Sequence, residues 1–165
     1  MTVVVMGGLP GSGKSHLSRR LAAQLPASLL TVDTVERGMR AAGMGEDQPI
    51  GLAAYGVAQA IAAEQLAVGL TVIADAVNIH PDARAAWLGL AEAACVGLVV
   101  IEVVCSDQEV HRRRLEERDD DVPPVDWAQV QRLRSVYAPW PAPTTVVDTL
   151  GSVDLAALVG LIRSA

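Results

Sequence analysis

Five short stretches of the chain are almost continuously apolar: TVVVM (2–6), LLTV (29–32), LTVIAD (70–75), GLVVIEVVC (97–105) and TTVVD (144–148). Runs of this length, rich in Val and Ile, predict strands covered on both faces. Seven stretches between and after them have the character of helices: 14–25, 33–42, 52–68, the segment HPDARAAWLGLAEAA (80–94), 107–118, 127–138 and 152–163. Pro26 closes the first of these, and Pro81 suits a first helical turn, where its missing N–H costs nothing. GMGEDQPIG (43–51) and the acidic, Pro-containing 119–126 read as loops. Strand alternating with helix from end to end predicts an α/β domain: a parallel sheet with helices on both faces. No internal repeat or low-complexity linker interrupts it, so residues 1–165 are expected to form one domain.

Composition refines this picture. Hydrophobic residues make up 51% of the chain, but aromatics only 3% and Phe is absent, so the core must be aliphatic. No apolar run reaches the roughly 18 residues of a membrane span. Met1 leads directly into a strand-like run, without the basic start of a signal peptide. Cys95 and Cys105 form neither a disulfide framework nor a metal spacing, and both are expected near a core strand. These features predict a cytoplasmic, reducing location with no membrane partner. The net charge of −6 disfavours long nucleic acid, which demands a broad basic face.

The most informative stretch is GLPGSGKS, Gly8 to Ser15, lying between the first strand and the first helix. It fits G-x-x-x-x-G-K-[ST], the Walker A phosphate loop. Gly8, Gly11 and Gly13 let the backbone curl so that successive N–H groups face phosphate oxygens. The helix behind them adds the positive end of its dipole. Lys14, the only lysine among 13 basic residues, would bridge the β- and γ-phosphates of ATP, and the Ser15 hydroxyl would ligate Mg²⁺. The nucleotide contacts expected therefore run through Gly8, Pro10, Gly11, Ser12, Gly13, Lys14, Ser15 and His16.

In parallel sheets of this kind ligands bind beyond the carboxyl ends of the strands. Asp33 follows the second strand and is placed to take the proton of an attacking hydroxyl, as base, or to cap the helix that begins at Thr34; one carboxylate can do both. Arg37, one turn on, is a candidate for an anionic or polar substrate group or for pairing with Asp33 in solvent. Asp75 closes VIAD in the Walker B manner, for Mg²⁺ through its water shell or for substrate. Asn78 and Arg84 are candidates on the substrate side. His16, His80 and His111, the tryptophans and the tyrosines read as packing or helix-start residues. In HRRRLEERDDD, Arg114 and Arg118 share a helical face, which suits a lid over 112–126 that closes over the triphosphate; a solvated helix tied by Glu–Arg pairs is the alternative.

Taken together, GLPGSGKS, VDTVER, IADAVNIHPDARAAW, RLEER and VPPVDWAQVQRLRSVY resemble the small P-loop kinases that include polynucleotide 5′-hydroxyl kinases, zeta-toxin-type kinases and chloramphenicol phosphotransferase. The resemblance covers most of the chain. It implies a P-loop NTPase sheet of five parallel strands in the order 2-3-1-4-5. It also implies Asp33 as general base, Arg114 and Arg118 as lid arginines, and Asp75 with Asn78 as the acid–Asn loop. The family's Asp-x-Asn is here Asp75 and Asn78 with two residues between, and His16 stands where a Thr is usual. The expected activity is transfer of the ATP γ-phosphate, with Mg²⁺, to a hydroxyl of a small molecule such as a nucleoside, sugar or antibiotic. A nucleic-acid 5′-hydroxyl kinase is the alternative acceptor class. A nucleotide-binding switch is the alternative of another kind, and the chain lacks the Asn/Thr-Lys-x-Asp motif of guanine recognition.

Overall fold

A computed structural model describes residues 1–45, 47–117 and 125–165. The elements run β1 (Thr2–Gly7), α1 (Lys14–Ala22), β2 (Ala27–Thr31), α2 (Val32–Ala41), α3 (Ile50–Ala67), β3 (Thr71–Asp75), α4 (Pro81–Ala93), β4 (Gly97–Val104), α5 (Gln108–Glu116), α6 (Trp127–Val136), β5 (Thr144–Asp148) and α7 (Leu155–Ser164). The strands form one parallel sheet in the order β2-β3-β1-β4-β5. This is the α/β P-loop NTPase fold expected from the chain.

The absence of alternation in the strands has a direct cause. Every residue of β1 is buried, because β1 sits at the centre of the sheet with helices on both sides. Val3 and Val5 pack on one face with Ala54, Ala58 and Ala62 of α3 and Trp87 of α4. Val4 and Met6 pack on the other with Leu17 and Leu21 of α1 and Leu158 and Ile162 of α7. The alanine spacing of four along α3 turns one small-residue stripe to the sheet and lets the helix approach closely. Two tryptophans, Trp87 and Trp140, add bulk to an otherwise aliphatic core.

Several boundaries differ from expectation for local reasons. β2 ends at Thr31 and α2 begins at Val32, so Asp33 lies inside the first turn and the N-cap position is Thr31. The N-cap position considered for Asp33 thus falls to Thr31, while the Asp33 carboxylate stays at a helix start, where negative charge is favoured. α1 stops at Ala22, three residues early, as Gln24 N–H turns back to the Leu21 carbonyl at 3.0 Å. α7 waits for Asp154, whose side chain accepts from Ala157 N–H at 2.9 Å. Cys105 is buried as expected, but Cys95 is exposed in the turn that ends α4, at φ 52°. Among the described residues no helix is long and apolar enough to cross a membrane.

Candidate active site

The phosphate loop connects the buried centre of the sheet to α1, and its glycines are there for geometry. Gly8, Gly11 and Gly13 adopt φ values of 135°, 82° and 91°, a region that L side chains rarely enter. A Cβ at Gly8 would also run into the Val103 carbonyl. The loop closes with Ser12 N–H on the Leu9 carbonyl at 3.1 Å. α1 then starts at Lys14 with no side-chain cap and no acidic residue in its first turn. Its leading N–H groups and its dipole are thus left for an anion. Lys14 is 8% exposed and makes no salt bridge among the described residues.

Two cavities open on the α1 end of this loop. One, of about 270 Å³, is lined by Gly11, Gly13, Lys14, Ser15, His16 and Arg19 from the loop and α1, by Thr31, Asp33, Thr34 and Arg37 from the β2–α2 junction, and by Arg114 of α5. The other, of about 470 Å³, shares Gly13, His16 and Arg114 with it and continues along Leu17, Arg20, Thr149 and residues 151–153. Lysine, arginines and the helix start make the first strongly electropositive around one carboxylate, Asp33. Arg37 is exposed and donates to Thr34 Oγ1 at 3.2 Å, which holds it at the rim.

Asp75 ends β3 beside Met6 of β1 and Thr31 of β2, on the sheet face that carries Ile73 and α1. It is 2% exposed, and neither carboxylate oxygen has a hydrogen-bond partner among the described residues. Holding an unpaired carboxylate in the interior is costly, so such a group points to a missing counter-charge or donor. Mg²⁺ with its water shell fits: the ion takes hard oxygen ligands, often one or two from protein. Ser15 and Asp75 are that kind of donor, and no cluster of three or more His, Cys, Asp or Glu able to hold a metal exists among the described residues. Ser12 Oγ, in the loop itself, is likewise buried and without a partner among the described residues.

Two residues expected on the substrate side are buried and bonded to other parts of the protein. Asn78 is fully buried with φ 52°. Its Nδ2 donates to the Met6 carbonyl at 2.7 Å, its Oδ1 accepts from Trp87 Nε1 at 3.1 Å, and its backbone N–H donates to the Tyr55 hydroxyl at 3.0 Å. Burial pushes the Tyr55 pKa up to about 12, so that hydroxyl stays protonated. Arg84, 2% exposed, donates through Nε to the Asn78 carbonyl at 2.6 Å. Its Nη1 donates to the carbonyls of Ala138 at 2.6 Å and Pro139 at 3.0 Å. The guanidinium stacks 4.7 Å from the Tyr137 ring centre and 4.5 Å from that of Trp140. Its planar fork reaches several carbonyls at once, which draws it into the interior. The cluster has one consequence for the site: it pins the β3–α4 loop to the end of β1, just behind the phosphate loop.

Arg114 is also more tied down than a swinging lid arginine. Its Nη1 donates to Thr149 Oγ1 at 2.8 Å and its Nη2 to the Thr149 carbonyl at 3.0 Å. Thr149 Oγ1 in turn lies 2.7 Å from the Ser12 carbonyl, to which it donates. A chain from α5 through the β5 end to the phosphate loop thereby aims Arg114 into both cavities. Arg112 and Glu116 form the exposed Glu–Arg pair of the alternative reading, at 2.7 Å. Arg118 and the rest of the expected lid through residue 124 lie outside the described residues.

The profile of the AAA domain family matches residues 3–140, which include the phosphate loop, Asp33, Asp75 and Arg114. The chain belongs to the AAA domain family. Solved structures of the same fold include a protein of Chloroflexus aurantiacus, 24% identical over 99% of this chain and 94% of that one, with a TM-score of 0.78. Kti12 of Chaetomium thermophilum in complex with ADP-AlF3 is 21% identical, covering 99% and 98% of the two chains at a TM-score of 0.75. The APS kinase CysC of Mycobacterium tuberculosis, in complex with AMPPNP and APS, is 18% identical over 98% and 97% at 0.67. No curated protein matches the chain.

In this AAA domain, sequence reasoning overlooked Thr149 as a partner of both Arg114 and the loop. A weak signal existed, since it follows β5 at the carboxyl end of the sheet. Tyr137, Arg134 and His111 carried no such signal, and they line a third cavity, of about 390 Å³, against Gly8, Leu9 and Ser12 on the loop's other side. Burial raises the pKa of Glu102 in the same cavity, an effect that the charge of Arg84 opposes.

Proposed function

We propose that this AAA domain is an ATP- and Mg²⁺-dependent phosphotransferase that passes the γ-phosphate to a hydroxyl of a small molecule. One observation carries the reading: Lys14, Ser15, Asp33 and Arg114 line a single cavity. Bound Mg-ATP supplies the phosphoryl group to be transferred. The chain's own part is to bind, orient and neutralise. Gly8, Pro10, Gly11, Ser12, Gly13 and His16 shape the cradle, Lys14 and the α1 N-terminus balance phosphate charge, and Ser15 with Asp75 takes the metal side. Asp33 accepts the proton of the acceptor hydroxyl as its oxygen forms the new bond to phosphorus and the bond to ADP breaks. Arg114, aimed by Thr149, offsets charge that builds up on the transferring group; Arg118 is assigned the same work from the sequence alone.

Structures of the same fold include an APS kinase and a gluconokinase of Sinorhizobium meliloti, which supports phosphotransfer as the type of reaction. The net charge of −6 favours a compact acceptor over a nucleic-acid strand, the acceptor of the polynucleotide kinases that the motifs resemble. Incubation with γ-labelled ATP, Mg²⁺ and either a panel of small alcohols or an oligonucleotide with a free 5′-hydroxyl separates these. Label is expected on a small alcohol. Label on the oligonucleotide alone would move the acceptor class, and acceptor-independent phosphate release alone would replace the kinase with a slow nucleotide switch.

A further inference from the structure

His111 lies on α5, 1% exposed, between the phosphate loop and α6. Its Nε2 is 2.7 Å from the carbonyl oxygen of Pro10. A carbonyl only accepts, so Nε2 carries the proton. Nδ1 is then the lone-pair nitrogen, and it stands 3.3 Å from Nη2 of Arg134, which only donates. Both neighbours thus require the same neutral tautomer. Trp127 meets the ring edge-on at 5.2 Å between centroids, and the Arg134 guanidinium lies over Trp127 at 5.7 Å. A Cβ on Gly11 would stand only 3.1 Å from the imidazole, so the ring is in contact with the loop at two successive residues.

From this geometry we infer that His111 is a positioning residue of the phosphate loop, holding the Pro10 carbonyl so that the loop keeps its curled form, with Arg134 fixing its tautomer. It touches neither cavity assigned to nucleotide and acceptor; it grips the loop from behind. The inference rests on the reading of that loop as a nucleotide site. Its consequence is that α5 and α6 are coupled to nucleotide affinity through one imidazole, and that the coupling depends on proton concentration.

The charged and titratable groups around the ring are Arg134 from α6, Arg114 from α5 itself, and Glu102, Cys105 and Tyr137, which line the same cavity. Burial pushes the His111 pKa below its ordinary value; the Pro10 carbonyl opposes this, and Arg134 and Arg114 reinforce it. Protonation would remove the acceptor that Arg134 uses and set cation against cation. Because the folded chain binds this proton less readily than the unfolded one, the contribution is complete above about pH 6.5. Below that the stability it contributes falls, and the grip on the loop is lost as pH falls through the lowered folded value, where the folded imidazole takes its proton.

The test measures Mg²⁺-dependent binding of a fluorescent ATP analogue to the full chain across pH 5–8, with melting curves as a check on folding. His111→Leu removes the donor, whereas His111→Gln keeps an N–H at the reach of Nε2. The leucine variant is expected to bind about tenfold more weakly at pH 7.5, with KM for the nucleotide raised and kcat for a saturating acceptor changed less. The glutamine variant is expected within about threefold of wild type and without wild type's loss of affinity on the acid side. Wild-type affinity in a folded leucine variant overturns the inference. Should that variant fail to fold, an acid loss that persists unchanged in His111→Gln overturns it instead. No nucleotide binding by wild type overturns the nucleotide reading, and the inference falls with it.

Discussion

The two faces of the sheet end differently at their carboxyl edge. On the α1 side, Asp75 is buried with both oxygens unpartnered, and Lys14 makes no salt bridge among the described residues. On the α4 side, Asn78 and Arg84 are equally buried, yet Asn78 Nδ2 and Arg84 Nε and Nη1 donate to main-chain carbonyls and the guanidinium stacks against Tyr137 and Trp140; Arg84 Nη2, the Tyr137 hydroxyl and Trp140 Nε1 have no partner among the described residues. Burial and polarity are therefore alike in the two regions; what separates them is the group left open, both oxygens of the Asp75 carboxylate against one nitrogen of a guanidinium that is otherwise bonded and stacked. The bonded side ties the β3–α4 loop to the end of β1 and so supports the costly side, as strained functional groups generally require.

Substitutions on the two faces should therefore separate activity from stability. The largest effect is expected from Asp75→Asn: phosphotransfer falls by about a hundredfold through loss of the metal-side carboxylate. Thermal stability stays level or rises by about 1 kcal/mol, since an amide is cheaper than a carboxylate to bury unpaired. Steady-state kinetics beside a melting curve checks both halves. Arg84→Met should do the reverse, costing about 3 kcal/mol of stability by orphaning three carbonyls. That corresponds to a Tm lower by roughly 6–12 °C. In the protein that remains folded, the affinity for Mg-ATP is expected to match wild type by titration calorimetry. Trp87→Phe is the mildest: it deletes the donor to Asn78 Oδ1 and should cost about 1–2 kcal/mol in urea denaturation, with kcat/KM unchanged. A Trp87 variant of full stability and reduced turnover would blur the division between the faces.

Much of the α1 side was legible in the sequence because its information is local. GLPGSGKS is contiguous, and Asp33 and Asp75 stand at or just beyond the ends of apolar runs. The five strands were legible for the same reason, but the order of the strands was not; it came from a family resemblance. Asn78 and Arg84 show where such reading stops. Both follow β3 where site residues cluster, but what claims their side chains is the Met6 carbonyl, 72 residues away in sequence, and the Ala138 carbonyl, 54 away. Main-chain carbonyls have no residue-type signature, so a polar side chain that they consume resembles one poised for a ligand. The loop contacts of His111, read from the sequence as a packing or helix-start residue, and of Thr149 were hidden for the same cause, since their partners are the carbonyls of Pro10 and Ser12.

The division of labour between Lys14, which receives phosphate, and Asp33, which receives a proton, is the central claim. Titration calorimetry with Mg-ATP, followed by single-turnover transfer to the acceptor, tests it in the variants Lys14→Ala and Asp33→Asn. The account predicts that Lys14→Ala weakens nucleotide binding and transfer together, by about a hundredfold or more. It predicts that Asp33→Asn binds nucleotide as wild type does while transferring at least about a hundredfold more slowly. Full transfer by Asp33→Asn, or unimpaired nucleotide binding and transfer by Lys14→Ala, would contradict it.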